Sequence, residues 1–94
     1  MWQILFSPQA LKDRKHFDGQ KGLFNKLQRL LDVVRNNPYQ DPPPVKQLRG
    51  DLKGKFSRRI DHKHRLVYSL RPSIVGTPYV GVVYIERMWS HYGD

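Results

Sequence analysis

Two short segments hold the residues best suited to chemistry on a phosphate. The first is Phe56-Ser57-Arg58-Arg59-Ile60, followed closely by His64-Arg65-Leu66-Val67-Tyr68. Read as strands, successive side chains alternate between the two faces. Phe56, Arg58 and Ile60 then share one face, and Ser57 and Arg59 the other. With Asp61-His62-Lys63 as the hairpin loop, Ile60 faces His64 and Arg59 faces Arg65. Leu66 and Tyr68 join Phe56 and Ile60 toward the helices, while the two arginines project together from the opposite face. Like charges directly opposite each other destabilise a strand pair. A bridging anion removes that penalty, and the guanidinium fork matches phosphate geometry. Three-residue hairpin loops usually place glycine at a left-handed position. Asp61-His62-Lys63 offers none, so the register rests on alternation alone.

The second segment is Trp89-Ser90-His91-Tyr92. Histidine titrates near neutrality and can give or take a proton. Tyrosine and tryptophan can stack on a nucleobase. Trp89 reads as a core residue at a strand end; His91 and Tyr92 fit a reacting site or a terminal tail equally well. His16 reads as exposed on a charged helix. His62 and His64 flank the hairpin turn, where contact with phosphate is open to either but a structural role is preferred.

Charge and composition narrow the classes. The 94 residues carry seventeen Lys or Arg against eight Asp or Glu, a formal charge of +9. The excess is concentrated: Lys46, Arg49, Lys53, Lys55, Arg58, Arg59, Lys63, Arg65 and Arg71 face only Asp51 and Asp61 in that stretch, whereas the N-terminal half mixes its signs. A polyanion fits such a segment, and nucleic acid is the commonest polyanion. The alternative is a solvated basic surface with no dedicated ligand. No cysteine is present, which excludes a disulfide framework and a thiolate metal site. The four histidines lack metal-ligand spacing, so no metal and no cofactor is expected. No apolar run approaches the roughly 18 residues of a membrane span, and no signal-peptide pattern is visible. The length and a 38% hydrophobic content suit one domain over residues 1–94, with a small core and a cytoplasmic setting.

The elements that position these residues read as β-α-α-β-β-β-β. Trp2 to Phe6 alternates as a first strand. Ser7-Pro8 starts a helix, with serine at the N-cap and proline at its first position. That helix runs to about Phe17 with Ala10, Leu11 and Phe17 inward. Leu23, Phe24, Leu27, Leu30, Leu31 and Val34 make the apolar stripe of a second helix, which Asn36-Asn37-Pro38 stops. Asp41-Pro42-Pro43-Pro44 is an extended connector. Strands follow near Gln47–Arg49 and over Phe56–Asp61, Arg65–Leu70 and Tyr79–Met88. The expected fold is α+β: two N-terminal helices packed on one face of a mainly antiparallel sheet.

With those residues in place, the chain resembles the Txe/YoeB family of toxins, within the RelE-like superfamily. Phe56-Ser57-Arg58-Arg59-Ile60-Asp61, His64-Arg65-Leu66-Val67-Tyr68 and Met88-Trp89-Ser90-His91-Tyr92 carry the resemblance, with Asn37-Pro38 and Leu48. It implies a RelE-like microbial RNase fold and a metal-independent endoribonuclease that enters the ribosomal A site and cuts the mRNA there. The ribose 2′-hydroxyl attacks the adjacent phosphate and the 5′-oxygen leaves. By the same resemblance Arg65 holds the scissile phosphate, Arg59 assists charge stabilisation, His91 protonates the leaving oxygen and Tyr92 positions or stacks the nucleotide. Arg49 stands where the family often has lysine, and Lys53, Lys55 and Arg58 are further RNA-binding candidates.

Lys46 departs from the pattern. Family members usually carry a glutamate there, proposed as the general base, and a lysine of ordinary pKa is protonated at neutral pH. Three readings stay open: an attenuated variant, because an active toxin is hard to express; a naturally weak or inactive protein; or Lys46 itself as the base, since crowding among cations lowers a lysine pKa. Attenuation is preferred. A binding module that sits on the ribosome or RNA without cutting is the alternative function. A gyrase-directed toxin, as in the related ParE proteins, is disfavoured because those lack the Arg59–Arg65–His91–Tyr92 set. The implied partners are a largely acidic Phd/YefM-type antitoxin, complementary in charge, and the 70S ribosome with its mRNA. A homodimer stays open, and no membrane partner is expected.

Overall fold

A computed structural model describes residues 1–89. The order is β1 (Gln3–Phe6), α1 (Pro8–Arg14), a 3-10 turn at Lys15–Phe17, α2 (Lys21–Asn36), β2 (Lys46–Gln47), a second 3-10 turn at Gly50–Leu52, then β3 (Lys55–Arg59), β4 (Arg65–Arg71) and β5 (Val82–Arg87). The five strands form one sheet in the order β1-β5-β4-β3-β2. Every pairing is antiparallel except β1 with β5, which is parallel. The helical stretch between β1 and the rest is the crossover that a parallel neighbour requires.

Ser7 caps α1 as its sequence predicts: its Oγ accepts from the Ala10 N–H at 2.9 Å. The same hydroxyl donates to the Glu86 carbonyl, also at 2.9 Å, which ties the start of α1 to β5. Leu27, Leu30, Leu31 and Val34 of α2 are buried and pack with Ala10 and Phe17 against Leu66, Tyr68, Val83 and Ile85 of the sheet. Leu11 corrects the expectation: it is half exposed. Ala10 and Phe17 lie seven residues apart on one helical stripe, and Leu11 is turned about 100° away from it.

β5 is shorter than the expected Tyr79–Met88, β2 lies at Lys46–Gln47 rather than Gln47–Arg49, and β4 runs one residue further than expected, to Arg71. The Val80 N–H bonds to the Met1 carbonyl, and β5 begins only after Gly81. Gly81 has a steric reason: a Cβ there would lie 2.5 Å from the Trp2 ring, which covers it. A register shift between Val67 and Tyr68 in the β4–β5 pair marks a bulge near Glu86. Among the described residues no helix is long and apolar enough to cross a membrane.

Candidate functional site

The β3–β4 hairpin has the register that alternation predicts, with Arg59 opposite Arg65 and Ser57 opposite Val67. The Ile60 and Asp61 N–H groups both donate to the His64 carbonyl, at 2.8 and 3.2 Å. Asp61 does the work of the missing glycine: its Oδ1 accepts from the N–H groups of Lys63 (2.8 Å) and His64 (2.6 Å), an Asx-type closure. Among the described residues no non-glycine residue takes a positive φ. Burial alone would raise the Asp61 pKa, but those two N–H donors, with His64 and His62 nearby, hold it below the ordinary aspartate value.

Lys46 on β2 pairs in register with Ser57 on β3. Cross-strand partners share a face, so Lys46, Ser57, Arg59 and Arg65 all belong to the face away from the helices. Ser57 and Arg65 are buried, whereas Lys46 and Arg59 are exposed. The Arg65 Nε donates to the Ser57 Oγ, which anchors that guanidinium at the cleft wall. Lys46, Arg59 and Arg65 line one cleft of about 700 Å³, walled by Pro43, Pro44 and Val45 of the connector and joined by Lys26 and His62. Arg49 and Lys53 line an adjoining depression of about 540 Å³ that shares Val45 and Lys46. The cations of both form one arc, with Asp61 the only carboxylate among the described residues lining it. Such an arc can bind a polyanion and stabilise charge building on a phosphate.

Two candidates fall elsewhere. Lys55 is ion-paired with Glu86 at 3.2 Å and lines a separate depression beside Lys12 and Arg87. Arg58 requires a correction: it is completely buried and is no RNA contact. Its Nε donates to the Tyr68 hydroxyl (3.0 Å), its Nη1 to the Pro43 carbonyl (2.7 Å), and its Nη2 to the carbonyls of Pro38 (3.1 Å) and Gln40 (2.7 Å). Alternation gave its face correctly, and that face is the core. The buried cation holds the connector that forms the cleft wall. His91 and Tyr92 lie outside the described residues.

Trp89, the last described residue, is half-buried and packs against the core cluster, as its place at a strand end suggests. It stacks on His64 with ring centroids 3.6 Å apart and on His16 at 4.9 Å. Sequence reasoning missed this, having given the two histidines only exposed or turn roles. It also missed Asp13, which is 2% exposed. Asp13 takes bonds from the Arg87 Nε (2.9 Å) and from the N–H groups of Met88 (2.9 Å) and Trp89 (3.3 Å). Burial pushes its carboxyl up; the Arg87 bond, the Met88 N–H and the Gln9 amide outweigh this and hold its pKa below the ordinary value. A signal was available, since Asp13 falls at i+3 on the same stripe as Ala10 and Phe17, an odd place for an unpartnered charge.

Known proteins match this chain in sequence and fold. Residues 6–90 match the family described as YoeB-like toxin of bacterial type II toxin–antitoxin system. Toxin YoeB of Streptomyces coelicolor is 33% identical over 67 residues, covering 70% of this chain and 80% of that protein. The chain is similar to the heterotetrameric YoeB–YefM toxin–antitoxin complex of Staphylococcus aureus, with a TM-score of 0.76 and 32% identity over 98% of this chain and 99% of the other. A YoeB/ParE toxin from Agrobacterium tumefaciens shares the fold, with a TM-score of 0.81 at 21% identity over 96% of this chain and 99% of that one. On the match over residues 6–90, the chain belongs to the YoeB-like toxins of bacterial type II toxin–antitoxin systems.

Proposed function

We propose that this chain is a single-domain, cytoplasmic toxin that stops translation as a ribosome-dependent mRNA endoribonuclease. The observation that supports this best is the in-register pair Arg59–Arg65, facing one cleft with Lys46. In the reaction the substrate's 2′-oxygen bonds to phosphorus while the 5′-oxygen leaves. This gives a 2′,3′-cyclic phosphate and a 5′-hydroxyl. Arg65, braced by Ser57, holds the scissile phosphate, and Arg59 offsets the charge that builds on it. His91 protonates the leaving oxygen and Tyr92 stacks the nucleotide. The rest of the arc, Arg49 and Lys53, tracks the flanking backbone.

By the resemblance, Lys46 stands where a base would take the 2′-hydroxyl proton, which otherwise passes to water. That favours an attenuated enzyme and keeps one second reading in play: a toxin that occupies the ribosome without cutting. The partner proposed for the free toxin is an acidic YefM-type antitoxin; the related Staphylococcus aureus protein is described in complex with YefM and also as a dimer.

Purified ribosomes programmed with a defined mRNA test the reading. Cleavage in the A site, lost in Arg65→Ala and in His91→Ala, is the expected result. Ribosome binding and arrested synthesis with intact mRNA, even after Lys46→Glu, would support the non-cutting reading instead.

A further inference from the structure

Strand β5 ends at Arg87, and the next two amides have no sheet partner to meet them. The Asp13 carboxylate supplies one. Its Oδ2 accepts from both Met88 and Trp89, and from the Arg87 Nε as well. Three consecutive residues are thereby fixed to α1 by one buried carboxylate. The next side chain is held too, with the Trp89 ring sandwiched between His64 and His16 and edged by Phe17. His64 immediately precedes Arg65, so the chain leaves this clamp beside the hairpin that carries the proposed phosphate site. Two residues further on is His91.

We infer that Asp13 is a positioning residue: by fixing Met88 and Trp89 it sets the point from which His91 reaches the leaving oxygen. The inference rests on the reaction proposed above. Asp13 itself touches no substrate. Its action runs through backbone placement, and misplacement by about 1 Å can cost on the order of 100-fold in rate.

A leaving group that needs no proton tests this. Ribosomes are programmed with mRNA carrying either the normal 5′-oxygen or a bridging 5′-sulfur at the scissile position; a thiolate leaves without a general acid. Cleavage by the chain and by Asp13→Asn is measured at saturating and limiting toxin, with His91→Ala as the reference. The expected result is a kcat for Asp13→Asn lowered about 10- to 100-fold on the oxygen substrate, an unchanged KM, and a near-parental rate on the sulfur substrate, the pattern of His91→Ala. Equal loss on both substrates, or no loss on either, overturns the positioning role while leaving the ribonuclease reading intact. A parent and a Lys46→Glu variant that both cut neither substrate overturn the ribonuclease reading and this inference together. If Asp13→Asn does not fold, Trp89→Leu removes the stack instead and is read by the same oxygen–sulfur contrast.

Discussion

Lys46 and Arg65 flank Ser57 from neighbouring strands, and Arg59 stands opposite Arg65. A carboxylate at position 46 would sit among cations that hold it ionised, ready to accept a proton at neutral pH. Lys46→Glu is therefore expected to raise ribosome-dependent cleavage about 100- to 10,000-fold, the usual worth of a general base. If Lys46 is itself the base, Lys46→Ala lowers the rate and removes a limb of the pH profile, and the glutamate changes little. Primer extension across the cut codon separates the two. Asp13 carries a prediction of a different kind. Its folded pKa is depressed, so its stabilisation is complete above the ordinary aspartate value of about 3.9 and is lost as pH falls through the lower folded value. Asp13→Asn should be less stable than the parent at neutral pH, with the gap closing in acid; thermal melts between pH 7 and 2 read it directly. Alternation and charge made the Arg59–Arg65 pair legible in the sequence. The inward place of Asp13 on its helix was legible too, but its partners were not: they are the Arg87 side chain and two backbone amides 74 to 76 residues away, and no local pattern encodes them.

Among the elements, α2 was readable almost to its ends because its apolar stripe repeats over three turns and a proline follows it. The β3–β4 register was readable only on taking Asp61-His62-Lys63 as the loop, since period-2 alternation puts Phe56, Leu66 and Tyr68 on one face but a slip of two residues would keep them there. The connector at 41–44 was readable as extended chain, but its anchoring was not. A buried arginine held by carbonyls looks in sequence like any other basic residue. In the structure Arg58 and Tyr68 form one unit, since the Tyr68 hydroxyl accepts from Arg58 and donates to the Pro38 carbonyl at 2.6 Å. Burial pushes the Tyr68 hydroxyl pKa up, with the Arg58 cation opposing it, so the phenol stays protonated as a donor. Tyr68→Phe leaves buried groups short of partners and is expected to cost about 1–3 kcal/mol. Arg58→Met, which strips three carbonyls at once, costs more. Urea unfolding should show a lower midpoint with an unchanged slope in both variants. The cleft wall moves with this unit, so cleavage should fall in step with the loss of the connector rather than of the cations.

Over the whole molecule, a charge of +9 acts as a field with a direction. Lys46, Arg49, Lys53, Arg59 and Arg65 gather along one arc, while Lys55 is neutralised by Glu86 and Arg58 is consumed in the core. The number of cations facing a bound strand is thus smaller than the sequence count suggests, and salt dependence measures it. Each phosphate contacted on a single strand contributes about −0.7 to the slope of log K against log salt. With Lys26 of the same cleft counted, six contacts give a slope of roughly −4.2. A short RNA with 2′-O-methyl riboses cannot be cut by 2′-attack, so its binding reports contact alone. Fluorescence anisotropy over a salt series should return that slope for the parent. Arg59→Ala should reduce its magnitude by about 0.7, because that side chain is exposed on the arc, and Lys55→Ala should leave it nearly unchanged. A slope near zero would mean that the arc does not grip the backbone. Equal effects from Arg59→Ala and Lys55→Ala would mean that the strand lies across the sheet by another path.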